Sequence, residues 1–194
     1  MNFITWILGL TKVEILPGDR EVLKTLKSTV VVANHPSLLD VTILMALLPQ
    51  ADCIVNSALF EKPVIRHVVK RLFIPNSLDF SVMLSDCKQS LKDGNCLIIF
   101  PEGSRSVPGI APVLKKGSSR IALDSGFPIQ PVMLKADNMR GLRKGDSFYR
   151  INEKGRYVYE IILLEKIQPE DFIDFPLPVA ARHMTKEIHS RLFV

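Results

Sequence analysis

Val30-Val31-Val32-Ala33-Asn34-His35-Pro36-Ser37-Leu38-Leu39-Asp40 is the stretch whose reading decides the fold. The valines form a β-branched run of the kind found in strands buried on both faces. Pro36 disfavours helical backbone at His35, so the histidine is expected to sit extended at a corner. Pro36 itself suits the first helical position, and the helix can then run through Leu48. Asp40 is expected about one turn into that helix, where the dipole tolerates its charge. Strand, corner and helix in this order are the unit of an α/β layer architecture.

Two helical residues five positions apart are separated by about 500° and do not share a face. With His35 outside the helix, its imidazole can fold back over the first turn toward the Asp40 carboxylate. That contact would orient the ring, fix its tautomer and leave the other nitrogen free to take a proton. The pair alone also fits a plain helix-capping corner, and so short a motif does not separate the two.

Cys96-Leu97-Ile98-Ile99-Phe100 is the strongest strand signal, a continuous apolar run. It opens into Pro101-Glu102-Gly103-Ser104-Arg105-Ser106, and a buried strand emptying into a polar loop is where α/β proteins place their sites. Further strands are expected at Asp52–Val55 and Ile129–Leu134, with a long one at Tyr157–Leu164. Val13 to Leu16 alternate weakly before a turn at Pro17-Gly18-Asp19, and Phe73 to Asn76 is short and extended. Helices are expected at Glu21–Lys27, Lys62–Leu72, Phe80–Lys92, from Lys116-Gly117 to Gly126, and near Val179–Leu192. Strands alternate with helices, which predicts an α/β fold: a mostly parallel central sheet layered by helices, with residues 1–194 forming a single domain.

The chain has 194 residues, a formal net charge of +5 and a 47% hydrophobic fraction. A basic balance suits an anionic membrane surface or phosphorylated or thioester-carrier substrates. Nucleic acid is not expected, because aromatics are sparse and no zinc-finger or aromatic-basic strand signature occurs. Cys53, Cys87 and Cys96 show no C-x-x-C spacing and fall in predicted elements, so buried reduced thiols are expected.

Residues 1–12 form a short apolar start, with Phe3, Trp6 and Ile7 candidates for contact with a lipid interface; ordinary core packing is the competing reading. No run is long enough for a transmembrane helix. In the 62–72 segment, Arg66, Lys70 and Arg71 lie largely opposite the apolar stripe. They read either as a solvated basic face or as contacts for an anionic substrate or membrane.

Several chemistries are excluded by motif. No G-x-S-x-G elbow is present, and neither dinucleotide nor P-loop glycine patterns occur. His67, His183 and His189 show no metal-site spacing, and the last two are expected on the surface of the terminal helix.

What remains resembles the glycerolipid acyltransferase family, whose best-known members acylate lysophosphatidate. Asn34-His35-Pro36-Ser37-Leu38-Leu39-Asp40 matches its N-H-x-S-x-x-D block at every fixed place, and Phe100 to Ser106 matches F-P-E-G-[TS]-R-[ST] throughout. Lys115-Lys116-Gly117 and Phe127-Pro128-Ile129-Gln130-Pro131-Val132 answer the following block, so the resemblance covers about residues 30 to 135.

It implies an O-acyltransferase moving an acyl group from acyl carrier protein or coenzyme A to a hydroxyl of a lysophospholipid or related lipid. His35 would be the general base, oriented by Asp40, with no metal or other cofactor. Glu102, Gly103, Ser104 and Arg105 would bind the acceptor, and backbone N–H groups near Gly103 and Ser104 are candidate oxyanion donors. A Glu102–Arg105 salt bridge is the structural alternative for that arginine. Lys116 joins Arg66, Lys70 and Arg71 as a contact for an anionic substrate. A peripheral place on the cytoplasmic face of the cell membrane is expected.

One block departs. Asn76 stands about where relatives carry an arginine thought to grip the acceptor phosphate, so an acceptor from a specialised pathway, such as aryl polyene or amino-acid lipids, fits as well. A non-catalytic lipid- or carrier-binding relative and a thioester hydrolase are the other readings.

Overall fold

The computed structural model describes residue 9 and residues 11–56, 73–76, 79–107, 109–110, 112–137, 141–146 and 156–193. Chain order is β1 (Thr11–Ile15), α1 (Pro17–Thr25), β2 (Thr29–Ala33), α2 (Asp40–Leu47), β3 (Ala51–Asn56), β4 (Phe73–Asn76), α3 (Phe80–Lys92) and β5 (Cys96–Ile99), followed by α4 (Gly117–Ser125), β6 (Ile129–Asp137), β7 (Tyr157–Leu163), a 3₁₀ turn (Pro169–Phe172) and α5 (Leu177–Leu192). The expected helix at Lys62–Leu72 lies outside the described residues, as do Phe3, Trp6 and Ile7.

The seven strands form one sheet in the order β1-β7-β6-β2-β5-β3-β4. All pairings are parallel except β6 with β7, so the mostly parallel expectation holds. The sequence explains why β2 and β5 are central. Val30 to Ala33 and Cys96 to Ile98 are fully buried, and such runs are stable only with both faces covered.

Alternation then sorts the side chains. Val31, Ala33, Cys96 and Ile98 pack with Leu23 of α1 and Ile43 and Leu44 of α2. Val30, Val32, Leu97 and Ile99 pack on the other face with Met83 and Leu91 of α3, Ile121 of α4 and Met184 and Ile188 of α5. The helix after β2 covers one face of the sheet and the helix after β5 covers the other. Their carboxyl ends, in register at Val32 and Ile99, therefore flank a switch point where a crevice must open.

Three local expectations are corrected. The helix after the β2 corner begins at Asp40 and not at Pro36, so Asp40 opens the helix instead of lying a turn inside it. The cause is Asp40 itself: its carboxylate accepts both the N–H and the hydroxyl of Ser37, closing a non-helical turn over residues 37–40. Pro17-Gly18-Asp19 starts α1 instead of making a free turn, since Pro at a first helical position loses no needed donor. His183 and His189 are half-buried on α5, one edge-on to Phe175 and the other tilted against Phe193, and not plain surface residues. No helix among the described residues is long and apolar enough to cross a membrane.

Ile98, fully buried where β5 meets α1 and α2, tests this core. Ile98→Ala is expected to lower the unfolding free energy by about 3 kcal/mol, read from urea denaturation of the two proteins.

Candidate active site

Asn34 turns the chain at the end of β2. Its amide nitrogen donates to the Leu134 carbonyl at 2.8 Å and its amide oxygen accepts the Leu134 N–H at 2.7 Å. A side chain thus stands in for a backbone rung and ties the corner to β6. His35 follows with its backbone held at both ends. Its N–H donates to Glu102 Oε1 at 2.8 Å, and its carbonyl accepts the Ser106 N–H at 2.7 Å. Ser106 Oγ donates to the same Glu102 oxygen at 2.8 Å. The two polar loops foreseen after β2 and β5 are therefore joined at His35.

The imidazole folds back over the corner, as the spacing implied. Nδ1 lies 2.7 Å from Asp40 Oδ2, and the ring stacks on Phe100 with centroids 4.2 Å apart and 25° between planes. The His35 side chain is 18% exposed and that of Asp40 wholly buried. An ionised carboxylate only accepts, so Nδ1 carries the proton and Nε2 is left basic. Nε2 makes no hydrogen bond among the described residues.

Asp40 is held by more than the imidazole. Oδ2 also accepts the Ser37 N–H at 2.7 Å and Oδ1 the Ser37 hydroxyl at 2.7 Å. Behind Ser37 its Oγ bonds to the hydroxyl of Tyr159, in the middle of β7. Burial, and after it the charge of Asp40, pushes the Tyr159 phenol well above its ordinary range, so it stays protonated.

His35 stands in the wall of a cleft of about 370 Å³ at the carboxyl ends of the central strands. Leu38, Val41, Ile54, Val55, Met83, Ile99 and Ile121 make much of that wall apolar. Asn76, Gly103, Ser104, Lys115 and Ser118 supply polar groups. Gly103 takes a φ of +68°, and a β-carbon there would press into the Lys115 side chain. Ser118 Oγ, at the start of α4, is the one buried side-chain polar atom without a hydrogen-bond partner among the described residues.

The other candidate residues divide. Gly103 and Ser104 line the cleft; Glu102 and Arg105 stand beside it. Glu102 is engaged with His35 and Ser106, while Arg105 Nη1 donates to the Leu142 and Arg143 carbonyls, each at 2.9 Å. No Glu102–Arg105 ion pair forms among the described residues. Of the two expected oxyanion donors, the Gly103 N–H is taken by the Phe100 carbonyl at 3.0 Å, which leaves Ser104.

Lys116, an expected substrate contact, is exposed at the start of α4, and its neighbour Lys115 lines the cleft instead. Arg66, Lys70 and Arg71 lie outside the described residues. Ser37 was visible as a fixed place in the first block without a role, and Tyr159 carried no signal beyond its strand. Among the described residues no cluster of His, Cys, Asp or Glu suits a metal ion.

This pairing of an N-H-x-S-x-x-D corner with an F-P-E-G-S-R loop across a parallel sheet defines an acyltransferase domain. The chain belongs to the acyltransferase family, whose model matches residues 17–135. It is 33% identical over 113 residues to the chloroplastic 1-acyl-sn-glycerol-3-phosphate acyltransferase BAT2 of Brassica napus, a match covering 54% of this chain and 32% of that protein. The 1-acyl-sn-glycerol-3-phosphate acyltransferase of Helicobacter pylori is 34% identical over 112 residues, covering 54% and 47%. The matches thus span about a third to a half of those curated relatives. In fold, the chain is similar to the crystal structure of the LPA acyltransferase PlsC from Thermotoga maritima. The TM-score is 0.66 at 23% identity, covering 96% of this chain and 74% of that one.

The three cysteines are free and buried, as expected. Burial, with Asp52 alongside, pushes the Cys53 thiol up to about 12, and burial raises Cys87 to about 12 and Cys96 to about 11. At pH 8 the thiolate fraction of each is then about 10⁻³ or less. Iodoacetamide is expected to leave all three unmodified in the native protein, including Cys53 in the cleft wall, and to label all three after denaturation, by intact mass.

Proposed function

We propose that this protein is an O-acyltransferase that moves an acyl group from a thioester, on coenzyme A or acyl carrier protein, to a hydroxyl of a lipid acceptor. The observation that carries this reading is the His35–Asp40 pair, with Nε2 unengaged at the wall of a largely apolar cleft. An alcohol is a poor nucleophile at neutral pH, so a base must take its proton as the carbon–oxygen bond forms. His35 Nε2 is that base, and the buried Asp40 carboxylate stabilises the imidazolium.

The thioester carbonyl becomes a tetrahedral oxyanion, for which the Ser104 N–H in the cleft wall is the backbone donor assigned. On collapse the carbon–sulfur bond breaks and the imidazolium returns the proton to the departing thiolate. The products are an ester and a free thiol. The apolar wall suits the acyl chain, and Lys115 suits an anionic group of either substrate.

Lysophosphatidate is the first acceptor to try, because the curated relatives are named for acylating 1-acyl-sn-glycerol-3-phosphate. Asn76, at the end of β4 in the cleft wall, supports a second reading: an acceptor without that phosphate. The protein works at a membrane surface, with the apolar residues Phe3, Trp6 and Ile7 in the interface and the net charge of +5 drawn to anionic lipid on the cytoplasmic face.

Thiol release should be measured from acyl-CoA and acyl carrier protein with lysophosphatidate and with phosphate-free lipid alcohols. Acceptor-dependent release is expected, with His35→Ala lowering kcat by roughly 10³-fold and Asp40→Asn by roughly 10²-fold. Equal release with and without acceptor would mark a hydrolase, and none with any pair would mark a binding protein. A chain lacking residues 1–10 is expected to lose co-sedimentation with anionic vesicles; unchanged sedimentation would refute the interfacial role of that segment.

A further inference from the structure

Ser37 has a single hydroxyl proton and stands between two oxygen groups. Its Oγ is 2.7 Å from Asp40 Oδ1, bonds to the Tyr159 hydroxyl and accepts the Leu39 N–H at 3.0 Å. Because the carboxylate only accepts, the Ser37 proton is directed at Asp40. Ser37 Oγ therefore faces the Tyr159 hydroxyl with its lone pairs, and the same hydroxyl also interacts with the Asp40 carboxylate. The result is a set of donors converging on Asp40: Ser37 donates to one oxygen, His35 Nδ1 donates to the other, and Tyr159 stands behind them against Ser37 and the carboxylate.

We infer that Tyr159 is a positioning residue for His35, acting through Ser37 and Asp40; the inference rests on His35 serving as the base. Donation along a chain strengthens each successive bond, so the phenol makes Ser37 a better donor and keeps its hydroxyl from turning away. The Asp40 carboxylate is thereby held in one orientation, with part of its charge drawn toward Ser37 and away from the imidazole. Nothing about Tyr159 suggests substrate contact: it is fully buried and stands outside the cleft wall. It also lies beyond residues 17–135, so the sheet's antiparallel addition supplies a part that the family's matched stretch lacks.

Removing the phenolic oxygen while keeping the ring isolates this role. With Tyr159→Phe, Ser37 becomes a weaker donor, more charge is left on Asp40, and the imidazolium is favoured. The acid limb of the rate profile must therefore move to higher pH. Among the described residues, the other charged groups around His35 are Glu102 at its backbone, Lys115 in the cleft wall, and Arg105 and Lys144 on the adjoining loops. None of them is touched by the substitution.

The experiment uses the full chain as wild type, Y159F, S37A, the double variant and H35A, with kcat and KM measured across pH. NMR titration of the His35 imidazole, assigned by its loss in H35A, provides a readout independent of turnover. Y159F is expected to lower kcat about tenfold, to leave both KM values within about twofold, and to raise the acid limb and the imidazole midpoint together by ~0.5 pH unit. S37A should shift both further in the same direction, and adding Y159F to S37A should shift them by less than Y159F does alone.

H35A retaining full activity would refute His35 as the base, which is a failure of the proposed function. An inactive H35A beside a Y159F with wild-type kcat and midpoint would overturn the positioning role alone. So would additive shifts in the double variant, or a Y159F that is unfolded where the wild type is folded.

Discussion

A carboxylate with no accessible surface must be saturated with donors or it does not stay charged, and Asp40 meets that condition within a few residues of itself. Two of its donors belong to Ser37, one residue past the proline, and the third is the imidazole. The rest of the corner follows. The turn over residues 37–40 is the shape that delivers those donors, the helix can begin only when the turn is complete, and the histidine is drawn back over it. Helix start, tautomer and ring direction are therefore one solution to one electrostatic requirement.

The sheet makes that solution useful. Parallel pairing of β2 with β5 brings two carboxyl ends side by side, and connections leaving to opposite faces keep the space above them open. Into that space the sequence sends a corner carrying the His35 imidazole and a loop whose glycine has left-handed backbone. The cleft then inherits its character from what lines it. β3, α3 and α4 supply apolar side chains, and the start of α4 adds Lys115, Gly117 and Ser118. Family membership and fold agree on an acyltransferase domain.

Much of this was legible in the residues. Continuous β-branched and apolar runs located β2 and β5, because strands buried on both faces have no other composition available. The five-residue spacing of His35 and Asp40 indicated a contact once proline was seen to keep the histidine out of the helix. Illegible features depended on partners distant in sequence. Glu102 reads as an acceptor contact until the His35 N–H is found on it, and Arg105 reads as a fork for the acceptor or a partner of Glu102 until the carbonyls of residues 142 and 143 are placed. Tyr159 looks like ordinary core in an alternating strand, and only the fold puts its oxygen against Ser37. The helix start is hidden for a related reason: Pro36 favours a helix locally, and the buried carboxylate four residues later overrides it.

Holding His35 through its own N–H and carbonyl has an evolutionary consequence. His35 is strapped to the loop after β5, its N–H on the Glu102 carboxylate and its carbonyl on the Ser106 N–H, whereas much of the cleft wall comes from β3 and from α3 and α4. The corner and most of the wall are thus written on separate parts of the sheet. The strand end at Asn76 or the apolar wall can change without loosening the bonds that hold His35. On the reading proposed above, such modularity lets a domain of this architecture drift from one hydroxyl to another while remaining the same catalyst.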